Sequence, residues 1–353
     1  MIRKRVFPER NTYPTIIDSE CSAYENEFQC EIIYKSGDFQ FRYIPAWAKW
    51  PEELWGYMVS GITLDQDGNV YAAVRCKDAP ICKFDKEGNF LGSLGKDMPV
   101  TRLHGLSIAG DHSLWAADDG NHVIHHIAQD GTYLGHLGIL NQPSDTGYDP
   151  SWVDPSDYTK PTLITFIDEN GAQCQKLVSN SCYLSIKRMG APFNKPTMLM
   201  ETSDGRLVAS DGYVKSAMHL FDKDGRLIKS WGGPGRRPGE MYIPHAFWID
   251  PEDRIWLCDR ENERLQVFDL EGNLLKVIDG LCYPQAIWGD GVNVYTAGDG
   301  RLNIYDLDYH LVGQIGYWHD TSLIAHSMCG DRNGSLFIAD LGINSIYKLE
   351  RIH

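Results

Sequence analysis

The chain has 353 residues, 42% of them hydrophobic, and its 33 Lys and Arg against 48 Asp and Glu give a net charge of -15. This charge repels a phosphate backbone, so nucleic acid is not an expected partner. No stretch reaches about eighteen apolar residues and the basic start lacks the apolar core of a signal peptide, so we expect a cytoplasmic protein with no membrane partner.

The first 59 residues form an N-terminal arm that precedes a repeated pattern. One stretch of the arm, GDFQFRYIPAW at 37–47, alternates as a strand does but has no neighbouring strands of its own. The last copy of the repeat stops one strand short. We therefore predict that this stretch pairs with the last copy and closes the ring, which leaves no exposed sheet edge.

From residue 60 onward the chain repeats one plan. Each copy alternates apolar and polar residues in short runs separated by Asp-Gly, Glu-Gly-Asn or Asn-Gly, which predicts antiparallel strands joined by tight turns. Copies of roughly 40–50 residues with about four strands each are typical of propeller blades. We predict an all-β, six-bladed β-propeller that occupies residues 1–353 as a single domain. The copies begin at Ser60, His104, Thr197, His245, Gln285 and His326.

A long insertion separates the second and third copies at residues 140–195. It is rich in Asp, Pro and aromatic residues. A loop of this length in a compact domain commonly covers a functional site. We predict that it lies over one end of the central channel as a lid.

Histidine begins every second copy, at His104, His245 and His326. Alternate blades of a six-bladed ring lie about 120° apart, and the innermost strand of each blade lines the axis. The three imidazoles should therefore converge in the channel. Three neutral histidines with an open fourth position are typical ligands of a catalytic zinc, although other divalent metals also accept them. The alternative for each histidine, considered alone, is a structural residue at a strand end whose hydrogen bonds are made within the protein.

A second set of polar residues follows the second strand of three copies. Arg75 and Arg260 each lie 15 residues after the start of their copies, and Tyr213 lies one position later in its own copy. These strand ends should border the same channel mouth as the histidines. Guanidinium groups bind carboxylates, so the set favours a small anionic substrate that carries a carboxylate. Salt bridges at the surface or between blades are the alternative for each arginine.

Five stretches are similar to those of a known family: LHGLSI, SDGY, WGGPGRRPGEMYIPH, CDRENERLQVF and AHSMCGDRNGSLFIAD. They resemble peptidyl-α-hydroxyglycine α-amidating lyase, the lyase part of the peptide-amidating enzyme and a six-bladed propeller of the NHL-repeat type. The resemblance extends from about Gly61 to the C-terminus without the insertion. It implies that zinc is held by His104, His245 and His326, that Tyr213 is catalytic, that Arg75 binds the substrate carboxylate, and that Arg260 is the arginine of a DREN motif.

The resemblance also has gaps. A structural calcium in that family would use the backbone carbonyls of Ile62 and Leu106, but Ser327 occupies the position of the family's aspartate. Val214 replaces a cysteine, and Cys258 is out of register with the family's second disulfide. We therefore expect an intracellular form with reduced cysteines and a doubtful calcium site.

The family's reaction cleaves a carbinolamide, R-CO-NH-CH(OH)-COO⁻, to an amide and glyoxylate. We predict a zinc-dependent carbon–nitrogen lyase that acts on a small N-acyl or N-carbamoyl α-hydroxy acid. One alternative is a metal-dependent hydrolase of a lactone, ester or amide that uses the same three histidines. The other is a metal-free NHL interaction module without catalytic activity.

Overall fold

The computed structural model describes residues 21–24, 27–30, 32–152, 162–167, 173–178, 180–189, 193–317 and 323–353. Six of its sheets have four or five strands. The five four-stranded sheets follow the chain order of their strands, whereas the five-stranded sheet adds two N-terminal strands outside three C-terminal ones. The first strands of successive sheets contact one another, and the first strand of the sixth sheet contacts that of the first. These contacts close a ring around a central axis. The prediction of an all-β, six-bladed propeller is confirmed.

Four strands and a short helix precede the first blade. They are β1 (Cys21–Tyr24), β2 (Glu27–Cys30), β3 (Ile32–Ser36), β4 (Phe39–Ile44) and the 3₁₀ helix η1 (Glu52–Leu54). The parts of the predicted N-terminal arm at residues 1–20, 25–26 and 31 lie outside the described residues.

The first three blades are built as follows. Blade one contains β5 (Val59–Leu64), β6 (Val70–Val74), β7 (Ile81–Phe84) and β8 (Phe90–Leu94). Blade two contains β9 (Leu103–Ile108), β10 (Leu114–Asp118), β11 (Val123–Ile127) and β12 (Tyr133–Gly138). The insertion then provides β13 (Thr162–Ile167), β14 (Gln173–Val178) and the 3₁₀ helix η2 (Asn180–Ser185). Blade three contains β15 (Pro196–Glu201), β16 (Leu207–Asp211), β17 (Ala217–Phe221) and β18 (Leu227–Gly232).

The last three blades complete the ring. Blade four contains β19 (Pro244–Ile249), β20 (Ile255–Asp259), the 3₁₀ helix η3 (Arg260–Asn262), β21 (Arg264–Phe268) and β22 (Leu274–Asp279). Blade five contains β23 (Ala286–Gly289), β24 (Asn293–Ala297), β25 (Arg301–Asp306) and β26 (Leu311–Gly316). Blade six contains β27 (Ser327–Gly330), β28 (Leu336–Asp340) and β29 (Ser345–Arg351) from the C-terminus.

The N-terminal stretch closes the last blade. β4 pairs antiparallel with β29, so the predicted closure is confirmed, and β3 adds a fifth strand outside it that the sequence pattern did not indicate. Phe41 is fully buried in one apolar cluster with Ile304 of blade five and Leu336 of blade six. This packing joins the two ends of the chain through the core.

Burial falls from the inner to the outer strands. All five residues of β6, β10, β16, β20 and β28 are buried, because neighbouring blades pack against both faces of these strands. The outer strands β8 and β12 alternate between partly buried and exposed residues. No helix within the described ranges is long and apolar enough to cross a membrane. Six cysteines in the described part of the chain are buried, as expected: Cys76, Cys82, Cys182, Cys258, Cys282 and Cys329.

The two ends of the insertion pack against each other. The amide of Lys187 donates to the carbonyl oxygen of Thr146 at 2.8 Å, and the amide of Asp149 donates to the hydroxyl oxygen of Ser185 at 2.8 Å. The strands β13 and β14 form a separate two-stranded sheet. Residues 153–161, 168–172, 179 and 190–192 of the predicted lid lie outside the described residues. The lid stays a prediction.

Candidate metal centre

A β-bulge sets the direction of the first side chain in each of four copies of the repeat. The pairing of the first and second strands shifts by one residue at Ser60, at His104–Gly105, at Thr197 and at His245–Ala246. Bulges of this kind redirect a side chain that regular pleating would place in the sheet face. The histidines of blades two and four therefore leave the blade face at these bulges.

Buried aspartates at the ends of the second strands fix the loops that lead into these bulges. Asp118 accepts hydrogen bonds from the amides of Thr101 and Arg102 at 2.8 and 2.9 Å. Asp211 does the same for the two residues before Pro196, at 2.8 and 2.7 Å, and Asp259 accepts from Tyr242 at 2.6 Å. Because these carboxylates hold the backbone just before the first strand, each histidine starts from a fixed position.

The three predicted histidines meet on the axis. The ring centroids of His104 and His245 are 4.7 Å apart, those of His104 and His326 are 4.9 Å apart, and those of His245 and His326 are 4.7 Å apart. One nitrogen of each ring lies within 4.8 Å of the others, and the residues are only 1–4% exposed. Among the described residues, this is the one group of three His, Cys, Asp or Glu side chains that could hold a metal ion.

Backbone carbonyls set the tautomer of all three rings. Nδ1 of His104 bonds to the carbonyl oxygen of Thr197 at 2.9 Å, and Nδ1 of His245 bonds to that of Gln285 at 2.8 Å. Nδ1 of His326 bonds to that of Ser60 at 2.7 Å. A carbonyl oxygen only accepts, so Nδ1 carries the proton and Nε2 offers a lone pair.

The Nε2 atom of His245 shows that the group suits a metal. This atom is buried and has no hydrogen-bond partner. A buried polar atom without a partner costs free energy, and a metal ion would remove that cost. Burial, and then the neighbouring histidines, holds the pKa of His245 well below its usual range, and burial lowers that of His326 to about 3. Neutral imidazole is the form that binds metals.

Tyr213 adjoins the histidines as the sequence predicted. Its hydroxyl group lies 3.0 Å from Nε2 of His104, and the two rings meet edge to face with centroids 5.4 Å apart. Arg260 approaches from blade four, where Nη1 donates to the same hydroxyl oxygen at 3.4 Å. Its guanidinium carbon also lies 5.4 Å from the centre of the tyrosine ring.

Arg75 reaches the same region from blade one. Its Nε donates to the carbonyl oxygen of Leu103, the residue before His104, at 3.4 Å. Burial lowers the pKa of His104 and of His326, and the nearby charge of Arg75 lowers both further. The structure thus brings together all six residues that the sequence predicted for zinc binding and catalysis.

Two residues that sequence reasoning missed hold Arg260. Oε1 of Glu261 accepts from Nη2 of Arg260 at 2.9 Å and from the hydroxyl group of Tyr283. The guanidinium carbon of Arg260 lies 4.9 Å from the centre of the Tyr283 ring, so the cation is placed between two tyrosine rings. Glu261 belongs to the DREN stretch, which could have indicated it, but Tyr283 precedes the next copy and carried no signal.

The rim near Arg75 carries further charge. Nε of Arg102 lies 3.2 Å from Oδ1 of Asp119, whose side chain is only 1% exposed. Burial raises the pKa of Asp119, while Arg102, Arg75 and Lys195 act to lower it. Three cations near the carboxylates of Asp119 and Asp118 leave a local positive charge in a chain whose net charge is -15. A local positive charge of this kind favours anionic ligands.

The doubtful calcium site lacks acidic ligands among the described residues that line it. Ile62 and Leu106 border a cavity of about 160 Å³ whose described lining contains no acidic residue. The hydroxyl oxygen of Ser327 accepts a hydrogen bond from the amide of Ile62 at 3.1 Å. Calcium prefers six to eight oxygen ligands that include carboxylates. Ser327 stands where the family that the sequence resembles has an aspartate, and it supplies no carboxylate.

Comparison with known proteins agrees with the fold. A protein-family model described as a six-bladed beta-propeller matches residues 195–284. The chain is 23% identical over 350 residues to NHL repeat-containing protein 3 of Mus musculus, across 93% of this chain and 89% of that protein. It is 37% identical over 82 residues to the peptidylglycine alpha-amidating monooxygenase of Rattus norvegicus, which covers 22% of this chain and 8% of that protein.

A solved structure of a streptogramin B lyase has the same architecture. It superimposes with a TM-score of 0.55 at 16% identity and covers 84% of this chain and 94% of that one. At this identity the likeness shows the fold alone. The similarity along the whole chain is thus to NHL-repeat propellers, and the similarity to the amidating enzyme is local.

Proposed function

We propose that this protein is a metal-dependent carbon–nitrogen lyase, with zinc as the expected metal, and that it cleaves a small carbinolamide to an amide and glyoxylate. The observation that carries the proposal is the shared channel mouth. Three neutral imidazoles offer Nε2 to one point, the hydroxyl group of Tyr213 lies 3.0 Å from one of them, and two arginines flank the site. The local similarity to the amidating enzyme supports the same reaction class.

Each residue of the site has its own role in the proposed reaction. A divalent metal held by His104, His245 and His326 would lower the pKa of the substrate hydroxyl group. Arg75 binds the substrate carboxylate and fixes the reacting carbon. Tyr213 acts as a phenolate that accepts the hydroxyl proton and becomes a neutral phenol, and Arg260 stabilises the phenolate before the transfer.

The proton and electrons balance within the substrate. As the hydroxyl proton leaves, the oxygen forms a C=O bond with the reacting carbon and the C–N bond breaks with its electron pair on nitrogen. The amide nitrogen then takes the proton back from Tyr213. The products are R-CO-NH₂ and OHC-COO⁻, and no water is consumed.

Product analysis tests the proposal against hydrolysis. N-acetyl-α-hydroxyglycine should yield acetamide and glyoxylate. A hydrolase acting on the same amide would instead release acetate. Acetate as the main product, or no product above the spontaneous rate, would overturn the lyase assignment.

A further inference from the structure

A tyrosine of the insertion lies next to the proposed catalytic tyrosine, with the two rings tilted by 58°. Tyr183 lies on η2, and its ring centroid is 6.2 Å from that of Tyr213. Burial raises the pKa of Tyr183 to about 12, with a further contribution from Cys182. Its phenol is therefore neutral near pH 7 and serves as a flat, uncharged surface beside the site.

This ring is held in place from behind. Tyr148 stacks on Tyr183 with centroids 5.6 Å apart and planes 18° apart. The hydroxyl group of Tyr148 lies 3.2 Å from the sulfur of Cys182, which is buried. The stack thus joins both ends of the insertion, and Tyr183 cannot turn away without breaking it.

The insertion is also tied to blade three near Tyr213. Nζ of Lys215, two residues after Tyr213, donates to the hydroxyl oxygen of Ser144 at 2.8 Å, and it lies 3.5 Å from a carboxylate oxygen of Asp211. The Lys215 and Asp211 side chains are fully buried. Breaking such a buried contact is costly, so the insertion keeps a fixed position relative to Tyr213.

The third substituent of the substrate must pass the Tyr183 ring, which we call the wall. In the proposed complex the hydroxyl group faces the histidines and Tyr213, and the carboxylate faces Arg75. The N-carbonyl group is left to project from the mouth, past the ring of Tyr183. We infer that Tyr183 determines substrate size and restricts the N-carbonyl substituent to a small planar group such as carbamoyl or acetyl. This inference rests on the proposed function for the orientation of the substrate.

Binding of unreactive analogues tests the wall without requiring turnover. Calorimetry with the zinc-loaded protein would compare N-carbamoylglycine with an N-acetylated tripeptide that ends in glycine, both of which lack the reacting hydroxyl group. The native protein should prefer the small ligand by about tenfold or more, as pocket size typically discriminates. Tyr183→Ala should abolish this preference by improving the Kd of the peptide.

Matched variants keep the test decisive. Tyr183→Phe retains the ring and should behave as the native protein, and Tyr183→Trp should weaken peptide binding further. Tyr309→Ala removes an aromatic residue from the turn between β25 and β26 and should leave the preference unchanged. Equal affinities in the native protein, or a preference that survives Tyr183→Ala, would overturn the inference. If the ligand preference and its loss in Tyr183→Ala are observed but no glyoxylate forms, the inference about Tyr183 holds and only the proposed reaction fails.

Discussion

Nδ1 of His104 bonds to the backbone carbonyl oxygen of Thr197, 2.9 Å away on the next blade. Thr197 begins its copy of the repeat just as His104 begins the preceding one, and the hydroxyl group of Thr197 in turn donates to the carbonyl oxygen of Pro244, next to His245, at 3.0 Å. Blades without such a histidine therefore orient the histidines of their neighbours. The alternation around the ring supplies three histidines that could hold a metal and the carbonyl oxygens that orient them.

Metal content should depend on each histidine. We expect about one divalent metal per chain, and His245→Ala should strongly reduce it because two imidazoles bind a metal far more weakly than three. Elemental analysis of the purified protein measures this. His310→Ala, which changes an exposed histidine bonded to Asp306, should retain the metal. If each of the three single alanine variants, at His104, His245 and His326, still bound one metal per chain, these histidines would not form the metal site.

Gly105 should affect the metal although it is not a ligand. A Cβ atom at this position would collide with the carbonyl oxygen of Thr197, the acceptor for His104. Gly105→Ala should therefore displace that support and lower metal affinity by roughly 10- to 100-fold. A competition titration with a chelator would measure the change. Gly110→Ala is the control, since its Cβ atom would meet only the end of the Glu201 side chain, and equal affinities in the two variants would contradict this account.

Arg75 should act on the substrate carboxylate. Arg75→Ala should raise KM for a carboxylate substrate, and should lower kcat where orientation depends on the ion pair. The loss in kcat/KM should be smaller for the corresponding carboxamide. Arg226→Ala, at an exposed surface pair with Asp224, should change neither value. An equal loss for both substrates would show that Arg75 does not bind this group.

Tyr213 should act on the chemical step. Tyr213→Phe keeps the ring but removes the proton acceptor, so kcat should fall by roughly 10²-fold or more while KM changes little. Tyr309→Phe provides a comparison away from the site. Near-normal turnover by a metal-loaded Tyr213→Phe enzyme would remove the phenol from the mechanism and would favour the hydrolase-like alternative.

The repeat made the ring and the ligands predictable. Because His104, His245 and His326 occupy one register position, their convergence followed from the symmetry of the ring. The closing strand followed from a missing partner in the last copy. Both inferences used only the order of residues within similar copies.

Contacts between copies were not predictable in the same way. The bulge at His104–Gly105 depends on which residue opposes which across two strands, and no residue pattern within one strand determines it. Tyr283 supports Arg260 from a position outside the repeat, and Tyr183 reaches Tyr213 from an insertion without periodicity. Such long-range contacts appear only when the chain is folded.

The most direct test of the account is glyoxylate release as a function of bound metal. The protein would be stripped with a chelator, reloaded stepwise with zinc, and assayed on N-acetyl-α-hydroxyglycine with acetamide measured in parallel. We predict no catalysis by the stripped protein, a rate that rises in proportion to zinc up to about one per chain, and equal amounts of the two products. A fully loaded protein that releases glyoxylate no faster than the spontaneous reaction would contradict the central claim.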